Sequence, residues 1–275
     1  MKITLGFSPC PNDTFIFDAL VNQKIDTEGI EFSYSLGDVE ELNALAFSEV
    51  PDVTKLSFHA FLHLAGIYKL LDAGAALGFG TGPLLISKHN ILLEDVPSLK
   101  VAIPGEYTTA NLLFSLAFGT HVQRQSYVFS DIERAVLSNE VDAGVIIHES
   151  RFTYHQKGLL EIIDLGKFWE DKTQLPVPLG GIAVHKRIDK EIANTINSLM
   201  IKSLKYAIAN KPILSEFVTC NAQEMEISVM QKHIDLYVTK YSHSLGAEGR
   251  KAVQAMFDMA LSKGIIHSLP EKIFA

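Results

Sequence analysis

Cysteine is nearly absent from this 275-residue chain: Cys10 and Cys220 are far apart and form no CxxC pair. So few cysteines point to a reducing compartment and leave no disulfide framework. Excess positive charge is missing too, with 24 Lys and Arg against 32 Asp and Glu and a formal net charge of −8. A general nucleic-acid binder needs a basic surface to displace counterions, so nucleic acid is not an expected partner. A small anionic substrate stays compatible, because local backbone dipoles can hold an anion.

Long apolar runs are absent as well. None approaches the ~20 residues that cross a bilayer, so no membrane insertion is expected. After Ile3 the chain soon meets Gly6, Pro9 and Pro11, so no secretion signal is read. The expectation is a cytoplasmic protein, and nothing marks an obligate protein partner. No P-loop or GxSxG elbow occurs. Residues 78–82 read GFGTG, but Pro83 and an apolar strand follow where a dinucleotide loop would open a helix. That stretch reads as a loop near a hinge. His59 and His63 share a helical spacing, but no third ligand or HExxH glutamate accompanies them. No metal and no cofactor is expected.

What is present is apolar periodicity, in a chain 47% hydrophobic and 20% charged. That suffices for the core of one large or two modest domains. Ile3, Leu5 and Phe7 alternate as in a strand, and Asn12 or Asp13 can cap a helix through Leu20. Further strands are read at 29–35, 53–56 and 84–87, with helices between and a glycine-rich loop at 74–82. After a connector at 94–98, strands are read at 100–103, 126–129, 143–147, around 162–165 and at 180–185. Helical spacing then continues to the end. Strands alternating with helices predict an α/β fold with mainly parallel sheets. The pattern divides into two lobes: residues 1–92 with 180–275, and residues 93–179. The cleft between them is the expected ligand site, beyond the carboxyl ends of strands.

Four strand ends carry the chemistry: SPCPNDT, TKLS, GEYTTA and IIHESR. Asp13, Ser57 and Thr109 stand where helices begin, where free N–H groups favour an anion; each can equally cap its own helix. His148 ends an apolar strand and can accept a proton near neutral pH, or pack with both ring nitrogens bonded. Cys10 stands at a helix start, where a thiolate is stabilised, but a small side chain in a tight turn is the simpler account. Trp169 and Phe168 can line the cleft or join the core.

Together, SPCPNDTFIF, TKLSF, PGEYTTA and IIHESRFTY resemble the 1,4-dihydroxy-6-naphthoate synthase family of the futalosine route to menaquinone. The resemblance spans essentially the whole chain. It implies a two-lobed fold similar to the type II periplasmic solute-binding proteins. It also implies a lyase that converts cyclic dehypoxanthine futalosine to 1,4-dihydroxy-6-naphthoate and releases dihydroxyacetone. By motif match the proton acceptor is His148, and substrate contacts fall on Lys55, Leu56, Ser57, Thr109 and Ala110. Asn12, Asp13 and Thr14 would present polar groups from the first-lobe rim, whose shape Pro9 and Pro11 set. The alternatives are a chorismate dehydratase-like enzyme, or a solute-binding protein of the same fold without catalysis.

Overall fold

The computed structural model describes residues 1–148, 150–211, 213–222, 226–269 and 272–274. Its first strand, Lys2–Phe7 (β1), buries Ile3, Leu5 and Phe7 almost completely, as the alternation requires. Pro11–Val21 (α1) follows with Pro11 in its first turn, where a fixed φ and a missing N–H do no harm. The N-cap is therefore Cys10, not Asn12 or Asp13. Proline draws the helix start upstream and leaves those two side chains available for other partners.

Glu31–Leu36 (β2) and Val53–Ser57 (β3) both pair parallel to β1. Between them, Val39–Phe47 (α2) opens on a capping box formed by Asp38 and Glu41. Phe58–Leu64 (α3) continues directly from β3, and Tyr68–Leu70 (β4) and Ala76–Gly78 (β5) are short strands. The chain then crosses into a second sheet at Leu84–Ser87 (β6). That sheet is completed by Lys100–Ile103 (β7), Gln123–Ser126 (β8), Ala143–Ile146 (β9) and Leu160–Asp164 (β10). Thr109–Phe118 (α4), Ile132–Leu137 (α5) and Ser150–Thr153 (α6) lie between these strands. Leu165–Thr173 (α7) leads back to Val177–His185 (β11). Lys190–Ala209 (α8), Glu216–Asn221 (α9), Ile227–Tyr237 (α10), Lys240–His243 (α11) and Gly246–Ser262 (α12) end the chain.

Among the described residues, the first sheet has the order β2-β1-β3-β11-β4, with β5 also on β11; the second has the order β10-β6-β9-β7-β8. Both sheets are mixed, so the expectation of mainly parallel pairing fails. β11 runs antiparallel to β3, β4 and β5, and β6 runs antiparallel to β9 and β10. These are the strands by which the chain changes sheets. β6 is reached by a direct crossing and β11 through α7 from the other sheet, and only a βαβ return within one sheet imposes parallel sense.

Three local readings shift. The strand expected at 126–129 lies at 123–126, and Phe129–Asp131 is a turn of 3-10 helix. The polar run Gln123–Ser126 forms an edge strand with little burial, so its sequence lacks apolar alternation. Ala76–Gly78 is a strand inside the stretch expected to be loop. β6 falls within residues 1–92 yet pairs in the second sheet.

At the crossing, the backbones of Gly82 and Gly166 touch. A Cβ on Gly82 would lie 2.1 Å from Gly166 Cα, so no larger residue fits. One apolar cluster joins the two sheets, from Leu56, Phe58 and Phe61 to Val101, Leu112 and Val145. Trp169 is in this core, its indole N–H donating to Pro176 O at 3.0 Å, and not in the cleft.

Candidate active site

The cleft is built where β1, β3 and β9 end, and it encloses about 680 Å³ including its solvent-open mouth. That is a size suited to a small organic ligand. Asn12, Asp13, Lys55, Leu56, Ser57, Thr109, Ala110 and His148 all line it. Thr14 does not. It is fully buried, and its hydroxyl donates to Cys10 O at 3.1 Å, inside the first turn of α1.

Asp13 organises the first-lobe wall. Its Oδ1 accepts from Lys55 Nζ at 2.6 Å and from Asn12 Nδ2 at 2.8 Å. Its Oδ2 accepts from Ser8 N–H at 3.2 Å and Ser8 Oγ at 2.8 Å. The carboxylate is 1% exposed and Lys55 6%, so this is a buried ion pair satisfied by further hydrogen bonds. Because a carboxylate only accepts, Asn12 turns its NH2 toward Asp13 and its carbonyl outward. That carbonyl, Oδ1, is 2.9 Å from His233 Nε2 on α10, so His233 donates from Nε2.

Ser57 ends β3 and makes no capping bond of its own. Asn43 of α2 holds it from both sides: Oδ1 accepts Ser57 N–H at 3.1 Å, and Nδ2 donates to Ser57 Oγ at 3.3 Å. Opposite it in register stands Gly180 on β11, where a Cβ would press to 2.7 Å from Leu56 O. Glycine there keeps the wall thin.

From the second sheet comes the turn before α4. Thr108 is the N-cap and accepts from Asn111 N–H at 3.2 Å, while the Thr109 hydroxyl donates to Leu179 O on β11. This turn docks on the first lobe: Tyr107 N–H donates to Glu40 Oε1 at 3.0 Å, and Asn43 Nδ2 lies 3.4 Å from Tyr107 O. Gly105 permits the approach, since its φ is +141° and a Cβ would strike the Glu40 side chain.

His148 follows β9 with a left-handed backbone, φ +57°. Its Nδ1 is 3.5 Å from Cys10 Sγ, and Phe129 packs edge-on with ring centroids 4.8 Å apart. His233 lies nearly parallel to it, at 6.0 Å and 12° between planes. Arg151 is engaged at the crossing, donating to Gly82 O and to Asp164 Oδ2, 3.4 Å away. Glu149 lies outside the described residues.

His59 and His63 do not form a metal site with any third ligand among the described residues. His59 Nδ1 donates to Thr108 O at 3.2 Å. Burial, and then the neighbouring His63, lowers the His59 imidazole to about 4. The unfolded chain, with histidine near ~6.5, takes up this proton first as pH falls. The stability from a neutral His59 is complete above about pH 6.5 and is lost as pH falls toward about 4. It amounts to on the order of 3 kcal/mol. Urea midpoints at pH 7 and pH 4.5 are expected to differ more in the wild type than in His59→Asn. An equal difference in both proteins would remove His59 from the account. His233 acts in the same direction, since burial pushes it well below the usual histidine range.

The family model described as menaquinone biosynthesis matches residues 3–262. The chain belongs to this family. It is 38% identical over 272 residues to the 1,4-dihydroxy-6-naphthoate synthase of Thermus thermophilus, covering 99% of this chain and 98% of that one. It is 33% identical over 273 residues to the enzyme of the same name from Streptomyces coelicolor, covering 97% and 95%. A crystal structure from Archaeoglobus fulgidus superimposes with a TM-score of 0.91 at 33% identity, over 96% of this chain and 98% of that one. The aliphatic sulphonate-binding protein of Escherichia coli shares the fold alone, with a TM-score of 0.65 and 12% identity over 100% of this chain and 92% of that one. The two-lobed fold expected from the motifs is thus the fold of the family, and the chain is an enzyme of menaquinone biosynthesis. Among the described residues, no helix is long and apolar enough to cross a membrane.

Sequence reasoning did not assign Ser8, Asn43, His233 or Tyr237 to the site. His233 and Tyr237 are four apart on α10, the spacing of one helix face, which reads as core packing.

Proposed function

We propose that the cleft takes cyclic dehypoxanthine futalosine, an anionic substrate, and yields 1,4-dihydroxy-6-naphthoate and dihydroxyacetone. His148 acts as the general base. The observation that supports this most is that residues of all four family motifs, with His148, Lys55, Ser57 and Thr109 among them, line one cleft. Lys55 is the one lysine or arginine among the described lining residues, and its further ammonium donors suit a carboxylate or hydroxyl. Ser57 and Thr109, with nearby backbone N–H groups, supply further polar contacts. Proton removal by His148 starts cleavage of a carbon–carbon bond. The three-carbon fragment leaves, and the electron pair stays in the new aromatic ring, so no net oxidation or reduction occurs. The lobes as read from the sequence, 1–92 with 180–275 against 93–179, frame this proposal, with β6 counted to the second sheet. Closing them about the Gly82–Gly166 crossing would exclude water and orient the base.

Purified protein incubated with cyclic dehypoxanthine futalosine is expected to form naphthoate and dihydroxyacetone in equal amounts, read by mass spectrometry. Substrate left intact by folded protein would end this reading. Turnover of chorismate instead would favour the dehydratase-like alternative.

A further inference from the structure

The first-lobe wall contains a chain of contacts that runs from a buried charge to the base. Lys55 fixes Asp13, Asp13 fixes the carboxamide of Asn12, and Asn12 fixes which nitrogen of His233 carries hydrogen. His233 is 0% exposed, and its ring then lies nearly parallel to that of His148. Tyr237, one turn further along α10, packs against His233 at 4.6 Å between centroids. His148 itself sits at the end of a strand in a left-handed conformation, with Cys10 at Nδ1 and Phe129 at its edge.

We propose that His233 is a positioning residue for this reaction: its ring, oriented by Asn12, forms the flat surface that holds the His148 imidazole in its working plane. The proposal rests on His148 being the base. His233 stays neutral because it is buried near the Lys55 ammonium and the second imidazole, so it places no opposing charge beside His148 when that ring takes up a proton. A base held in place acts on the transition state more than on substrate affinity.

The test uses full-length protein and cyclic dehypoxanthine futalosine, with kcat and KM measured separately. His233→Gln keeps a donor for Asn12 and removes the ring. Its kcat is expected to fall roughly 10- to 100-fold with KM changed less than about threefold. His233→Phe restores a flat ring and is expected to recover several-fold of that loss. A glutamine variant more active than the phenylalanine variant would overturn the proposal, as would an unchanged kcat in both. In the His148→Asn background, adding His233→Gln is expected to change the residual rate less than about twofold, whereas multiplicative losses would assign His233 a merely structural role. Ring 1H–15N spectra of His148 give a readout independent of turnover. One dominant tautomer is expected in the wild type and a mixture in His233→Gln, and an unchanged spectrum counts against the proposal. If His148→Asn alone keeps wild-type turnover, the base reading fails, and this proposal with it. If His148→Asn is inactive while His233→Gln is normal, the positioning role alone fails.

Discussion

His148→Asn is expected to lower kcat by roughly 10²- to 10⁴-fold, the range for loss of a general base, while KM moves only a few-fold. Asparagine is the informative replacement. The backbone at this position has φ +57°, a conformation in which asparagine is comfortable and alanine is strained. A loss in His148→Ala alone could therefore reflect a displaced loop. In His148→Asn the loop keeps its shape, and the side chain loses its capacity to accept and hold a proton near neutral pH. The loss corresponds to about 3–5 kcal/mol of transition-state stabilisation. Binding should survive, because Lys55, Ser57 and Thr109 reach the cleft from other elements. Substrate titration into the inactive variant checks that separately from turnover. A His148→Asn enzyme that turns over at the wild-type rate would exclude proton transfer by this residue.

The two lobes and most strands were legible because their apolar periods are strong. Ile3, Leu5 and Phe7 alternate cleanly, and β3 and β9 are buried along their whole length. Strand direction was not legible. Nothing local in Leu84–Ser87 or Val177–His185 records that the chain has just changed sheets. β8 was misplaced because an edge strand needs hydrogen bonds but no apolar face, and its four residues are polar.

The site was legible where a motif coincided with a strand end. Asp13, Ser57, Thr109 and His148 stand out in this way, Lys55 came from the family resemblance, and all five line one cleft. Thr14 was adjacent in sequence but turns inward, because a threonine in a first helical turn readily bonds back to a carbonyl. The pairings that shape the site were out of reach. Cys10 and His148 are 138 residues apart, and Asn12 and His233 are 221 apart. No spacing rule covers such distances. Cys10 read as a small turn residue for want of a neighbouring histidine, and the fold supplies that histidine from the other sheet.

Asp13→Asn should have the largest effect on stability, because it strands the Lys55 ammonium in a site where both partners are nearly buried. Removing one partner of a buried pair costs about 3–5 kcal/mol, most of it the penalty on the charge left behind. For a chain of this size that lowers Tm by on the order of 10 °C. Ser8 would lose a charged acceptor at the same time, and Asn12 would lose the group that orients its amide. Replacing both partners, Asp13→Leu with Lys55→Met, separates the two consequences. No charge is then buried, so much of the lost stability should return. Turnover should not return, since nothing then turns the Asn12 carbonyl toward His233 and the cleft has lost its lysine. Thermal unfolding and kcat measured on the same three proteins decide the matter. A double variant that regains both would reduce the pair to packing. One that regains stability alone would show that a buried charge, costly for the fold, is there for the reaction.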